Sequence, residues 1–246
     1  MKTSWLVFPK PIPEAPLRLF CFPYAGSGSA VYNAWARQLP DSLELCSIRL
    51  PGRESRLMER PFTHIDALLP PLLAELQAHL DKPFAFFGHS MGALIAFELT
   101  RQMRQKRLPL PNKLLLSGFR APQRPPIREP IHHLPKEAFL VGLQAYGGTP
   151  DAVLAHPELL ELVLPALKAD FELVETYQYR PERPLNIPMT IFGSHKDTIT
   201  PVAELEGWEA HTTAVFKQHL FSGDHFYLQT ETAALLSTLI AELTVA

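Results

Sequence analysis

Cysteine is scarce in this chain: Cys21 and Cys46 are the only two among 246 residues. Two thiols cannot frame a chain of this length with disulfides. Both sit in apolar, strand-like runs, so they read as buried free thiols of a reducing compartment. Long hydrophobic runs are missing as well. No segment approaches the roughly 18 apolar residues that a membrane helix requires. The opening stretch MKTSWLVFPKPIPEAP follows its Lys with only WLVF and then prolines. That falls short of the apolar core of a signal peptide. A soluble cytoplasmic protein is the resulting expectation. Excess charge of either sign is absent too. Lys and Arg number 23 against 25 Asp and Glu, a net charge of −2, and no basic tract stands out. Nucleic-acid binding is therefore disfavoured.

What is present is an ordinary globular composition, 46% hydrophobic and 20% charged, which excludes a largely disordered chain. The length suits one large domain, or at most two small ones. Proline is abundant at 25 residues, clustered at 9–16, 108–134 and 181–188. It forms no repeat. These clusters mark loops and boundaries, because proline removes an N–H and fixes φ.

Short apolar runs alternate with helix-patterned segments. Strands are expected at Leu17–Pro23, Leu43–Leu50, Phe84–Gly88, Lys113–Leu116, Met189–Phe192 and Ala214–Leu220. Helices are expected at Ser29–Leu39, His64–Leu80, Ala93–Gln105 and Leu228–Leu243. Pro70 and Pro71 either begin the second helix or kink it. Arg101 and Arg104 favour the C-terminal end of the third. This rhythm predicts an α/β fold with a mostly parallel sheet covered on both faces. Residues 120–187 interrupt it with a Pro/Arg-rich stretch and helical segments near 135–146, 151–156 and 157–178. A helical insertion at one end of the sheet is preferred over a separate small domain, because the rhythm resumes afterwards.

The sharpest motif is Gly88-His89-Ser90-Met91-Gly92. It directly follows the apolar run FAFF and directly precedes the helix pattern ALIAFELTRQM. That setting fits a nucleophile elbow, a tight turn that exposes a serine hydroxyl at the end of a strand. A helix N-terminus there favours developing negative charge. Serine needs a base. His225, in the loop FSGDHF after the last strand, is the candidate; His89 reads as a packing residue. The base needs an acid to fix its tautomer. No carboxylate follows the strand at 113–116 before Glu129, whereas Asp197 follows the strand at 189–192. Asp197 is therefore the expected acid and Asp224 the rival. His195 is assigned to shaping its loop. The order Ser90, Asp197, His225 matches α/β-hydrolases. An oxyanion hole would use the backbone N–H of Met91 and, from the glycine-bearing loop at 22–28, that of Ala25. A phosphate-binding loop there is disfavoured, since no Lys follows the glycines and no full G-x-G-x-x-G is present.

With these pieces placed, the chain resembles the type II thioesterases that accompany nonribosomal peptide and polyketide synthetases. The matching segments are FPYAGSGSA (22–30), LPGRESR (50–56), FFGHSMGALIAFEL (86–99), LLLSGFRAP (114–122), FGSHKD (192–197) and FSGDHFYL (221–228). The resemblance implies a single α/β-hydrolase domain over 1–246 with a mobile helical lid at 120–187. It implies hydrolysis of acyl thioesters from the phosphopantetheine arm of carrier proteins, in antibiotic or siderophore assembly, by a monomer. It assigns Ser90, Asp197 and His225 as the triad and Ala25 and Met91 as oxyanion donors. No metal and no cofactor of its own are expected. Ser27 departs from the family's usual second glycine. Arg53 and Arg56 are expected to anchor loops. Arg120, Arg124 and Arg128 could form a basic rim for an acidic carrier. The alternatives are a general carboxylesterase or lipase, which would share the triad, and a catalytically dead binding protein of the same fold.

Overall fold

Apolar residues on both sides of successive strands dictate a sheet that must be covered twice. The computed structural model describes residues 4–147 and 156–244. Among the described residues seven strands form one sheet: β1 (Leu6–Val7), β2 (Leu17–Phe22), β3 (Leu43–Ile48), β4 (Phe84–His89), β5 (Lys113–Ser117), β6 (Met189–Ser194) and β7 (Phe216–Phe221). Their order is β1-β3-β2-β4-β5-β6-β7. β1 pairs antiparallel with β3, and every other pairing is parallel. Among the described residues the helices are α1 (Ile65–Leu76), α2 (Met91–Gln105), α3 (Lys136–Gln144), α4 (Pro157–Glu175), α5 (Tyr227–Thr230) and α6 (Thr232–Thr244). The mostly parallel α/β-hydrolase sheet expected from the sequence is what the chain adopts.

The period-2 alternation sorts the strands into two cores. Phe20, Phe22, Phe84, Phe86, Leu114, Leu116, Met189 and Ile191 pack with α1 and α2 on one face. Leu19, Cys21, Ala85, Phe87, Leu115 and Phe192 pack with Tyr32, Trp35 and α6 on the other. Cys21 and Cys46 are both buried and free, as expected.

Two elements differ from the sequence reading, and the alternative left open at Pro70 and Pro71 is decided. Ser29–Leu39 is two 3-10 turns, Ser29–Tyr32 and Trp35–Arg37, not one α-helix. The break lets both Tyr32 and Trp35 reach Phe87, at ring separations of 6.0 and 5.1 Å. It also lets the Tyr32 hydroxyl donate to the Phe22 carbonyl at 2.7 Å. Pro70 and Pro71 lie inside α1 rather than at its start. The carbonyls they leave without helical donors belong to Asp66 and Ala67, both exposed, so water can serve them. The closing helix is divided at Glu231 into α5 and α6.

The segment 120–187 leaves from β5 and returns to β6, which are neighbours in the sheet. It contributes α3 and α4, with an apolar cluster of Ile131, Phe139, Leu143, Leu164, Leu167 and Phe171 that also takes in Ala25. Except for His156, the helical segment expected at 151–156 lies outside the described residues.

A buried histidine gives the fold a pH dependence. His211 packs against Phe97, Trp208 and Tyr179, and its Nε2 lies 2.6 Å from Gln123 Oε1. Burial, then the nearby Arg101 charge, lowers its pKa to about 4. An unfolded histidine titrates near about 6.5. Between these values the unfolded chain binds the extra proton, so this contribution is complete above the upper value and lost as pH falls. Urea midpoints are expected to drop more steeply on acidification through this window for the native protein than for His211→Phe. Equal slopes would remove His211 as a source.

Candidate active site

The chain runs from β2 outward to β3 and then crosses back to β4 on the opposite side of β2. This is a topological switch point, where open parallel sheets leave a crevice beyond their carboxyl ends. Phe22 at the end of β2 is in register with Gly88 of β4. The loops after β2, β4, β5, β6 and β7 therefore meet at one edge.

Ser90 occupies that edge in a strained turn, at φ 52° and ψ −119°. Such a conformation costs on the order of 1–3 kcal/mol in a non-glycine residue and needs support from its surroundings. The Ser90 N–H donates to the Ser117 carbonyl at 2.7 Å, tying the turn to β5. The flanking glycines have a steric cause. A Cβ on Gly88 would lie 2.1 Å from the Gly92 carbonyl oxygen, and one on Gly92 would lie 2.1 Å from that of Phe22. Gly92→Ala must push β2 and α2 apart. We expect it to lower stability by about 3 kcal/mol, read as a fall in the urea midpoint. A midpoint at the native value would refute this steric reading. Met91 is fully buried and opens α2, so its N–H belongs to the first turn, which lacks helical acceptors.

Asp197 and His225 meet directly. His225 Nδ1 lies 2.7 Å from Asp197 Oδ2, with both side chains almost wholly shielded from solvent. The other oxygen, Oδ1, accepts the N–H groups of Ile199 and Thr200, each at 2.8 Å. The carboxylate is thus fixed by three hydrogen bonds, one of them from Nδ1–H of His225. That leaves Nε2 as the acceptor nitrogen of the imidazole. Ser90 and His225 line the same pocket. Asp224, the rival acid, is exposed, and its Oδ1 accepts the Phe226 N–H at 2.8 Å within its own turn. His195 is exposed, and its N–H donates to the Phe221 carbonyl at 3.0 Å.

His89 is buried, but it is more than a packing residue. Its Nδ1 lies 2.8 Å from Ser117 Oγ, which in turn lies 2.5 Å from the Tyr227 hydroxyl. Its ring sits 4.9 Å from that of His225. Burial first, then the neighbouring His225, holds its pKa well below the ordinary histidine value. His89 is therefore neutral and backs the His225 ring without adding charge.

The loop after β2 turns at Tyr24–Ser27, closed by the Ser27 N–H to the Tyr24 carbonyl at 3.0 Å. Gly26 takes φ +77°, the left-handed conformation that favours glycine. Ser27 fits in place of a glycine because its φ is not positive and its hydroxyl donates to the Tyr24 carbonyl at 2.8 Å. The 51–56 segment grips this loop. Glu54 accepts from Ser29 Oγ at 2.6 Å, Ala30 N–H at 2.9 Å and Arg49 Nε at 2.7 Å. Arg53 donates to the Ser27 carbonyl at 2.8 Å. Arg56 lies 4.0 Å over the Trp5 ring and pairs with Glu59. Loop anchoring by Arg53 and Arg56 is what the sequence suggested. The roles of Glu54 and of Asp170, the partner of Arg53, were missed. A signal for Asp170 existed. Helical spacing puts it in one stripe with Val163, Leu167 and Val174, a carboxylate where apolar residues prevail.

The pocket beside Ser90 is roofed by α3 and α4 and is predominantly apolar. Ile127, Leu143, Tyr146, Val163, Phe171 and Val174 are among its walls. Arg120, Arg124 and Arg128, which could form a basic rim, are each half-buried. Arg120 and Arg128 line the pocket. Arg128 also donates to the Ala145 and Thr198 carbonyls, each at 3.2 Å. Arg124 lies 3.6 Å from Glu204. Among the described residues no cluster of three or more His, Cys, Asp or Glu side chains could hold a metal ion, and no helix is long and apolar enough to cross a membrane.

A family model described as "Thioesterase domain" matches residues 17–243. The chain belongs to the thioesterase domain family. Its relatives include "Linear gramicidin dehydrogenase LgrE" of Brevibacillus parabrevis, 42% identical over 98% of this chain and 93% of that protein. They also include "Thioesterase PikA5" of Streptomyces venezuelae, 36% identical over 91% of this chain and 80% of that protein. Among solved structures, the type II thioesterase BorB from the borrelidin biosynthetic cluster is 34% identical with a TM-score of 0.87. The match covers 98% of this chain and 99% of BorB. The word dehydrogenase belongs to the first relative's name; the family model that matches this chain describes a thioesterase. The chain groups with the type II thioesterases.

Proposed function

We propose that this thioesterase removes acyl groups from the phosphopantetheine arm of carrier proteins in nonribosomal peptide or polyketide assembly. Ser90 is the nucleophile, His225 the base and Asp197 the acid that orients it. The backbone N–H groups of Ala25 and Met91 hold the oxyanion. The buried 2.7 Å bond between His225 and Asp197, set in one pocket with a serine at a strained elbow, carries this reading. The names and descriptions of PikA5 and BorB support the substrate class.

The mechanism follows from the donors present. His225 Nε2 takes the Ser90 proton as Oγ attacks the thioester carbonyl. The tetrahedral oxyanion rests on the two N–H groups. The carbon–sulfur bond breaks and the phosphopantetheine thiol departs with a proton, leaving acyl-Ser90. His225 then takes a proton from water, whose oxygen attacks the ester. The free acid leaves and Ser90 recovers its proton. Asp197 keeps the imidazole in the correct tautomer and stabilises its protonated form. The apolar walls under α3 and α4 accept the acyl chain, which suits removal of stalled or misprimed acyl groups. This chemistry calls for neither metal nor organic cofactor, the phosphopantetheine being the partner's.

The substrate class is tested by comparing kcat/KM for an acyl-phosphopantetheinyl carrier protein and for a p-nitrophenyl ester of the same acyl group. Carrier deacylation is expected to be the faster, with loss of acyl mass from the carrier. Rapid ester cleavage with an intact acyl-carrier would favour the general carboxylesterase.

A further inference from the structure

Helix α4 does more than roof the pocket: it bears on both loops that shape the site. A Cβ on Gly26 would lie 2.6 Å from Leu167 Cδ1, and one on Gly52 would lie 3.3 Å from Ala166 Cβ. Between these contacts Asp170, only 2% exposed, carries its carboxylate to the junction of the two loops. Its Oδ2 accepts the Gly26 N–H at 2.8 Å and Arg53 Nη1 at 2.8 Å. Its Oδ1 accepts Arg53 Nη2 at 2.7 Å. The same Nη1 donates to the Ser27 carbonyl, so one guanidinium binds the lid carboxylate and the 22–28 loop together.

Simple adhesion does not explain this arrangement. A buried ion pair loses much of its attraction to desolvation, and an apolar contact of equal size would hold α4 down at least as well. What a forked Arg–carboxylate pair adds is direction. By fixing the Gly26 N–H, Asp170 fixes the plane of the Ala25–Gly26 peptide. That restricts the torsions of Ala25 and so the aim of its own N–H. Aim matters, because an oxyanion donor works only within about 2.7–3.1 Å of the developing charge.

We propose that Asp170 is a positioning residue for acyl transfer: through Gly26 and Arg53 it aligns the Ala25 N–H, so the oxyanion hole is complete only when lid helix α4 is seated. The proposal rests on Ser90 as nucleophile and Ala25 as oxyanion donor. Lid and hole are then one device, and an acyl group that unseats α4 also weakens the hole.

The test uses the full chain with an acetyl thioester, whose short acyl group makes little use of the lid pocket. It also uses a trifluoromethyl ketone, which forms a tetrahedral oxyanion adduct with the nucleophilic serine. Asp170→Ala is expected to lower kcat by about 100-fold with KM within about threefold, the loss typical of a missing oxyanion donor. Ketone affinity should fall by a similar factor. Asp170→Asn, which keeps an acceptor for Gly26 but not the charge, should fall between, and it decides the matter if Asp170→Ala does not fold. Lys168→Ala removes a contact from α4 to the Leu134 carbonyl, away from the loop, and should leave kcat unchanged. If both Asp170 variants kept native kcat while Tm fell, or lost kcat without losing ketone affinity, Asp170 would be structural only. Failure of the underlying reading would look different: Ser90→Ala would still hydrolyse the thioester or bind the ketone at native strength.

Discussion

Ser90→Ala is expected to reduce kcat by at least about 1,000-fold without unfolding the protein. The hydroxyl is the only atom lost, and its backbone bond to Ser117 at 2.7 Å remains. Alanine must adopt the same φ of 52°, so it adds no strain that serine did not already carry. His225→Ala should cost a similar factor, because an unactivated serine is a weak nucleophile at neutral pH. The double variant should be scarcely slower than either single one, since the two residues act as a unit. KM should change far less than kcat. Circular dichroism of each variant separates lost chemistry from lost fold. Multiplicative losses in the double variant would mean that the two residues act independently.

The second large effect separates two carboxylates. Asp197→Asn replaces an acceptor with an amide that can present its NH2 to His225 Nδ1. The imidazole then flips tautomer, and Nε2 becomes a donor unable to take the Ser90 proton. The loss expected in kcat is on the order of 1,000- to 10,000-fold. The carboxylate also accepts the Ile199 and Thr200 N–H groups, so some loss of stability should accompany it. Asp224→Asn leaves the His225–Asp197 pair intact and keeps an oxygen for the Phe226 N–H, so activity should stay within about threefold of native. The comparison is made by steady-state kinetics on one acyl thioester. The reverse ranking would move the acid to Asp224.

Much of this site is legible in the sequence because it depends on local rules. Two glycines around a serine, after an apolar strand and before a helix, describe a turn that only small flanking residues permit. The clashes at Gly88 and Gly92 show why. Asp197 is legible by exclusion, since the loop after β5 offers no nearby carboxylate. The strands are legible because each face of the sheet is apolar. Other features depend on distant partners. The two 3-10 turns at 29–37 arise because Tyr32 and Trp35 both seek Phe87 across the sheet, which spacing alone does not reveal. α1 tolerates Pro70 and Pro71 because the affected carbonyls belong to the exposed Asp66 and Ala67, a fact of burial rather than of composition. β1 is two residues long and exists only through its pairing with β3. Asp170 lies 117 residues from Arg53, so its partner is invisible until the chain folds.

The most direct measurement of the central claim is labelling with a fluorophosphonate, followed by digestion and peptide mass spectrometry. One modified peptide is predicted, carrying the phosphonyl group on Ser90. Labelling should vanish in Ser90→Ala and slow sharply in His225→Ala and Asp197→Asn. Modification of a different residue, or an unlabelled protein that still hydrolyses acyl thioesters, would contradict Ser90 as the activated nucleophile.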